Sequence, residues 1–252
     1  MKFNVKNADI YIGVQAGSAI LHDLKSAKSS VCIVSPYLNQ DFVKELTNLH
    51  ARGIEIRLLT TDEQLDYKVF SQIVKLAPYS QIQHRFYQSK KHIYRWLSAV
   101  SGLVMVLSLG YLAFIDYPKS ADISWIYASF GSFFAIILCE YLRKNIKMPK
   151  REYDTIFDLK VFLSPYKKEY NSTSNQSLIH AKIYIIDGRV AYLGSLNFTK
   201  QGFGNNYETA IQIKDPEAIL AIEEEFESLY WSKSFEILDV NALGKDIYFD
   251  FW

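Results

Sequence analysis

The feature that most constrains how this chain can fold is an uninterrupted apolar run. Residues 96–115 (WLSAVSGLVMVLSLGYLAFI) carry no charged side chain over 20 positions. As a helix rising ~1.5 Å per residue, such a run crosses the ~30 Å hydrocarbon core of a bilayer. A polar turn at 116–122 (DYPKSAD) leads into a second run at 123–139 (ISWIYASFGSFFAIILC), which Tyr141 and Leu142 extend past Glu140. The pair predicts a transmembrane helical hairpin, about 96–115 and 123–142, within a segment 93–147. The competing reading, a buried helix pair of a soluble domain, is disfavoured by the length of the first run. Lys90, Lys91 and Arg95 precede the hairpin and Arg143, Lys144, Lys147, Lys150 and Arg151 follow it, whereas the turn has Lys119 alone. The bias of basic residues places both flanking segments on the cytoplasmic side. The expectation is an integral membrane protein, of the inner membrane if bacterial, with Trp96, Tyr117 and Trp125 at the interfaces.

The flanks, 1–92 and 148–252, must then form one folded body around the insertion. With 49% hydrophobic residues they can bury a core. The N-terminus, MKFNVKNADI, has neither the layout of a secretory signal nor the Met-Gly start of a myristoylated chain. Twenty-eight basic and 27 acidic residues leave a net charge of +1, so global charge marks no nucleic-acid binder. Cys32 and Cys139 show neither metal-ligand nor disulfide spacing.

Hydrophobic period assigns the elements in order. Residues 8–14 read as a strand, 17–28 as a helix, 29–34 as a strand buried on both faces that breaks at Ser35-Pro36-Tyr37. Asn39 caps a helix that Gly53 ends, and 54–60 return as a strand. Thr61 and Gln64 have capping-box spacing, predicting a helix through Leu65, Val69, Phe70, Ile73 and Leu76 up to Pro78. Residues 82–88 read as a further strand. Beyond the hairpin come a strand at 156–163, a Ser/Asn-rich loop at 167–177, a strand at 179–186, an Asp187-Gly188 turn, a returning strand at 190–193 and another at 205–214. Asp215-Pro216 caps a helix bearing Ile219, Leu220, Ile222, Phe226 and Leu229, and an aromatic tail, IYFDFW, is expected to pack on the domain or the membrane surface. Alternating strands and helices predict an α/β domain with a largely parallel sheet.

Polar residues recur at fixed spacing only between 180 and 197. His180 and Lys182 lie one residue apart on a strand and so share a face, and the turn at Asp187-Gly188 brings Ser195 and Asn197 back beside them. An imidazole, an ammonium, a hydroxyl and an amide suit a phosphate: the imidazole attacks phosphorus and the others hold its non-bridging oxygens, with no metal or cofactor required. Asp187 can orient a loop or a ring, and Gly194 permits close backbone approach. His22, His50, His84 and His92 have no partners at relay or ligand spacing. Arg85-Phe86-Tyr87 with Lys90-Lys91, and Tyr166-Lys167-Lys168, interleave aromatic and basic groups as a single-stranded nucleic-acid groove would; Lys90 and Lys91 equally suit anchoring to anionic headgroups.

The pattern His180-x-Lys182, Asp187, Gly194-Ser195-x-Asn197, followed by Asn206-Tyr207-Glu208, resembles the HKD motif of the phospholipase D superfamily. Residues 27–38 (AKSSVCIVSPYL) and 52–61 (RGIEIRLLTT) are more weakly similar to the opening of these domains. The resemblance implies a mixed sheet flanked by helices, here interrupted by the hairpin. It implies His180 as nucleophile through a phosphohistidine, Lys182 and Asn197 as phosphate clamps, Ser195 as a supporting donor and Glu208 as the carboxylate on the other imidazole nitrogen. Asp187 would be structural or orienting.

The family mechanism needs two histidines, yet the motif occurs once; His50-x-Arg52 is no second copy, since Arg57 stands where the aspartate would be. Single-motif members, such as the bacterial Nuc-like endonucleases and the mitochondrial Zucchini-type proteins, are two-fold dimers with the site across the interface, and a homodimer is expected here. The expected function is a membrane-anchored, metal-independent endonuclease acting on DNA or RNA at the cytoplasmic face. The alternative is a phospholipase or cardiolipin-synthase-like phosphatidyl transferase, with a phospholipid substrate reached through the hairpin; such enzymes usually carry two motifs in one chain.

Overall fold

The computed structural model describes residues 8–114, 123–165 and 178–249. It divides into two compact units, 1–75 with 153–252 and 76–152. The loop at 167–177, the turn at 116–122, Ile115 and the last three residues of the tail lie outside the described residues.

The first unit is built on a seven-stranded sheet. Its strands are β1 (Ala8–Gly13), β2 (Ser30–Val34), β3 (Glu55–Thr61), β6 (Asp158–Phe162), β7 (Ile183–Ile186), β8 (Val190–Gly194) and β9 (Glu208–Ile213), in the spatial order β1-β9-β8-β7-β2-β3-β6. Only β2–β3 and β3–β6 run parallel. The pairings β2–β7, β7–β8, β8–β9 and β9–β1 are antiparallel, so the sheet is mixed rather than largely parallel. The reason is visible in the connections: Asp187-Gly188 is a two-residue hairpin with both residues at positive φ, and such a turn can only join antiparallel neighbours.

One sheet face is closed by α6 (Pro216–Tyr230), whose N-cap Asp215 accepts from Ala218 N. Its Ile219, Ile222, Phe226 and Tyr230 repeat at helical spacing and pack with Cys32, Val34, Leu59, Ile185, Ala191 and Ile213. Alternate residues such as Val31, Ile33 and Tyr184 point to the other face, covered by α1 (Ser18–Lys25) and α2 (Gln40–Ala51). There Phe42 of α2 packs on Phe198 and Phe203, which also meet the Tyr184 ring. Asn39 caps α2 as expected, accepting from Asp41 N at 2.9 Å. Cys32 is buried, and burial pushes its thiol up to about 11 against the opposing pull of the Arg57 guanidinium. It is an unreactive core thiol.

Two further sequence expectations are corrected. The helix through 65–76 is a single turn, α3 (Tyr67–Phe70), capped by Asp66, followed by a short strand β4 (Val74–Leu76) that pairs with β5 (Tyr153–Thr155). Thr61 cannot cap it, because it remains in β3 opposite Phe162 with its hydroxyl directed at Pro36 O. Residues 82–88 are not a strand but part of α4 (Pro78–Phe114). Pro78 at the first helical position opens that helix, and a strand there would have no neighbour to satisfy its backbone. The described part of the tail packs on the domain as expected: a helix, α7 (Val240–Tyr248), brings Tyr248 to stack on Tyr153 and donate to Val74 O.

The second unit consists mainly of α4 and α5 (Ile123–Asn145), both long and apolar enough to cross a membrane. Their most apolar windows are 6% and 11% buried, which is unlike the helices of a soluble core. The two helices meet through a Ser108–Ser129 hydroxyl pair at 2.6 Å and the tilted Tyr111 and Trp125 rings, whose centroids are 4.5 Å apart.

Candidate active site

The site lies where the sheet topology gathers chain ends. Because β7 is antiparallel to β2, the residues entering β7 arrive at the C-terminal ends of β2 and β3; because β8 returns antiparallel to β7, the residues leaving β8 arrive there too. The C-terminal ends of parallel strands are the usual place for a ligand in an open α/β sheet. His180 and Lys182 sit on the extended lead-in just before β7 rather than inside a strand that begins at 179.

Lys182 is 6% exposed and its ammonium lies against the edge of the exposed His180 ring, 2.8 Å from Nδ1 and 3.2 Å from Nε2, while donating to His180 O at 2.7 Å. Burial lowers the Lys182 pKa, and the carboxylates of Glu208 and Glu63 pull it back up. Ser195 Oγ donates to Glu208 Oε2, and Asn206 Nδ2 donates to Glu208 Oε1 at 3.0 Å. Ser195 Oγ in turn accepts from Thr209 N at 3.0 Å. Gly194 makes this pairing possible: a Cβ there would come within 2.1 Å of Thr209 O. Asn197 Oδ1 is buried and, among the described residues, has no hydrogen-bond partner. The segment carrying it is pinned to the loop after β2, Phe198 N donating to Ser35 Oγ and Asn39 N to Phe198 O.

Two expected placements are different. Asp187 is at the opposite end of β7, where its carboxylate accepts from Lys28 N, Ser29 N, Ser29 Oγ, Ser30 N and Arg189 Nη2. It ties the hairpin to the start of β2 and does not reach His180. Glu208 does not hold the His180 ring either: Ser195 and Asn206 engage its two oxygens, and Lys182 is the side chain hydrogen-bonded to the imidazole. The sequence reading missed Tyr37 and Glu63. The Tyr37 ring meets His180 edge-on with centroids 6.4 Å apart, and its hydroxyl donates to Glu63 Oε2 at 2.8 Å. Both follow parallel strands directly, a position that itself signals a site.

The family model described as "Cardiolipin synthase, PLD-like domain" matches residues 20–98 and 135–231, on both sides of the hairpin. Among solved structures, the chain is similar to NucT from Helicobacter pylori (16% identity, TM-score 0.47, covering 92% of this chain and 99% of that one). It is also similar to Nuc, a phospholipase D family member from Salmonella typhimurium (14% identity, TM-score 0.43, covering 92% and 99%). A third likeness is phosphatidylserine synthase from Haemophilus influenzae Rd KW20 (13% identity, TM-score 0.41, covering 92% and 40%). These are likenesses too distant to carry an argument about substrate. No curated protein matches the chain in sequence. With the family model matched over more than half its length, the chain belongs to the phospholipase D superfamily of phosphodiesterases.

Proposed function

We propose that the chain is a membrane-anchored endonuclease that cleaves phosphodiesters through a phosphohistidine at a site shared by two copies of the chain. The observation that carries the shared site is that His180 stands alone. His22 lies on α1 beside Asp23, His50 on α2 against Phe157, and His84 and His92 on α4. One histidine can attack phosphorus, but protonating the leaving oxygen needs a second acid, and a two-fold partner supplies it as its own His180.

In this reading an imidazole nitrogen of His180 bonds to phosphorus as the P–O bond to the leaving oxygen breaks, and the partner subunit's His180 gives that oxygen a proton. Water then attacks the phosphohistidine, losing its proton to the same partner imidazole and restoring free His180. Lys182 places positive charge beside the non-bridging oxygens, and Asn197 Nδ2 donates a hydrogen bond to them. Glu208 and Asn206 fix the Ser195 hydroxyl, and Asp187 acts by holding the hairpin. The two apolar helices cross the bilayer, and the lysine and arginine excess at their ends favours a cytoplasmic site. A single motif in a 252-residue chain favours nucleic acid over a phosphatidyl substrate.

The full chain in detergent, supplied in EDTA with single-stranded DNA, duplex DNA, RNA or phosphatidyl lipids, is expected to cleave a nucleic acid, and its His180→Ala variant is not. Turnover of lipid alone would replace the nuclease reading with that of a phospholipase or phosphatidyl transferase. Loss of cleavage in EDTA would contradict the metal-independent mechanism.

A further inference from the structure

We propose that the base of the hairpin is a seat for the phosphate headgroups of anionic phospholipids. The proposal rests on the membrane-spanning reading above. It concerns a site distinct from the one at His180.

Helix α4 is twice as long as its apolar run requires. Its 37 residues rise about 55 Å, and the first half, 78–95, extends beyond the hydrocarbon as a polar stem. The stem and the end of the second helix are strongly basic. Across 78–95 and 140–152 there are nine Lys and Arg against Glu140 and Glu152 alone, and 78–95 holds no acidic residue.

Five of these cations line two grooves of about 700 Å³ each. One is bounded by Lys91, His92 and Arg95 of α4 and Arg143 of α5. Glu140 accepts from Arg143 at 2.6 Å and so takes up one of these charges; Lys91, whose ammonium lies 4.6 Å from the Tyr87 ring centroid, and Arg95 carry the charge that an added anion meets. The other groove sets Lys90 and Lys147 beside Phe86, Ile146 and Pro149. Phosphate oxygens fit the cations, and the glycerol and upper acyl carbons fit the apolar walls.

Depth decides between a lipid and a nucleic-acid strand. Arg95 immediately precedes Trp96, the first residue of the apolar run, and Lys91 lies one turn further out, about 6 Å. The headgroup layer is itself about 5–8 Å thick on each side of the hydrocarbon. Both cations of the first groove therefore sit at headgroup level, where anionic lipid is already concentrated and a polynucleotide would be repelled by it.

The test uses the full chain in neutral detergent, titrated separately with phosphatidylglycerol, phosphatidylcholine and inorganic phosphate and read by native mass spectrometry for retained ligand. The wild-type is expected to retain phosphatidylglycerol over phosphatidylcholine. A Lys91→Gln, Arg95→Gln, Arg143→Gln triple variant is expected to lose that preference by about tenfold or more. Equal retention by the wild-type and the variant overturns the seat. Inorganic phosphate bound as well as the lipid overturns the lipid as its occupant. Extraction of membranes with alkaline carbonate separates this from failure of the spanning reading: a wild-type chain released into the supernatant refutes the anchor itself, whereas a retained chain without lipid preference refutes only the seat.

Discussion

Replacing His180 by alanine is expected to lower kcat by about four orders of magnitude or more on any phosphodiester the protein cleaves, with the fold unchanged. The ring is exposed, lies on an irregular lead-in and, among the described residues, is hydrogen-bonded only to Lys182, so its removal leaves no cavity and breaks no strand. Steady-state kinetics beside a thermal melt separates the two effects. Lys182→Met is expected to cost less, about a hundredfold to a thousandfold, because it removes one charge from the oxygens and leaves the nucleophile in place. An alanine variant at His180 that turns over at the wild-type rate would end the phosphohistidine account.

Asp187→Ala is expected to do the reverse, lowering stability by about 1–3 kcal/mol while sparing the kcat of the molecules that remain folded. The Asp187 side chain is 3% exposed and collects the backbone N–H groups of Lys28, Ser29 and Ser30, the Ser29 hydroxyl and the Arg189 guanidinium. Truncation removes the acceptor that three backbone donors at the start of β2 share. The same bonds set a pH dependence. Burial alone would push the carboxyl up, but the N–H groups of Ser29 and Lys28, the Ser29 hydroxyl and Arg189 outweigh it and hold Asp187 well below the usual carboxylate range. A carboxyl depressed in the folded state contributes stability that is fully present above its unfolded value of about 3.9 and is lost as pH falls towards the folded one. Chemical denaturation at neutral pH and at about pH 3 is expected to show the variant's deficit shrinking in acid. A deficit independent of pH, or a variant dead while fully folded, would return Asp187 to the chemistry.

Much of the scaffold was legible because local signals and tertiary demands agree. Asn39 and Asp215 cap the helices they precede, and Asp187-Gly188 forms the turn its residues favour. The reading went astray where one signal had two structural uses. Residues 82–88 alternate well enough for a strand, yet they follow Pro78 and run unbroken into an apolar helix, so helix propagation decides. Thr61 has the spacing of a cap but is claimed by β3. At the site, sequence spacing grouped Asp187 with His180, whereas four residues of strand separate them onto opposite ends of β7. Tyr37 and Glu63 were invisible to a linear motif, because only the sheet brings the ends of β2 and β3 to His180.

The central claim is that one chain carries half a site. Wild-type and His180→Ala chains, differently tagged and allowed to exchange at varied ratios, test it through activity per total protein. If both imidazoles serve one reaction, only wild-type pairs act, and activity falls with the square of the wild-type fraction, to about one quarter in an equal mixture. Activity falling in direct proportion, to about one half, would mean that each chain works alone and would contradict the shared site.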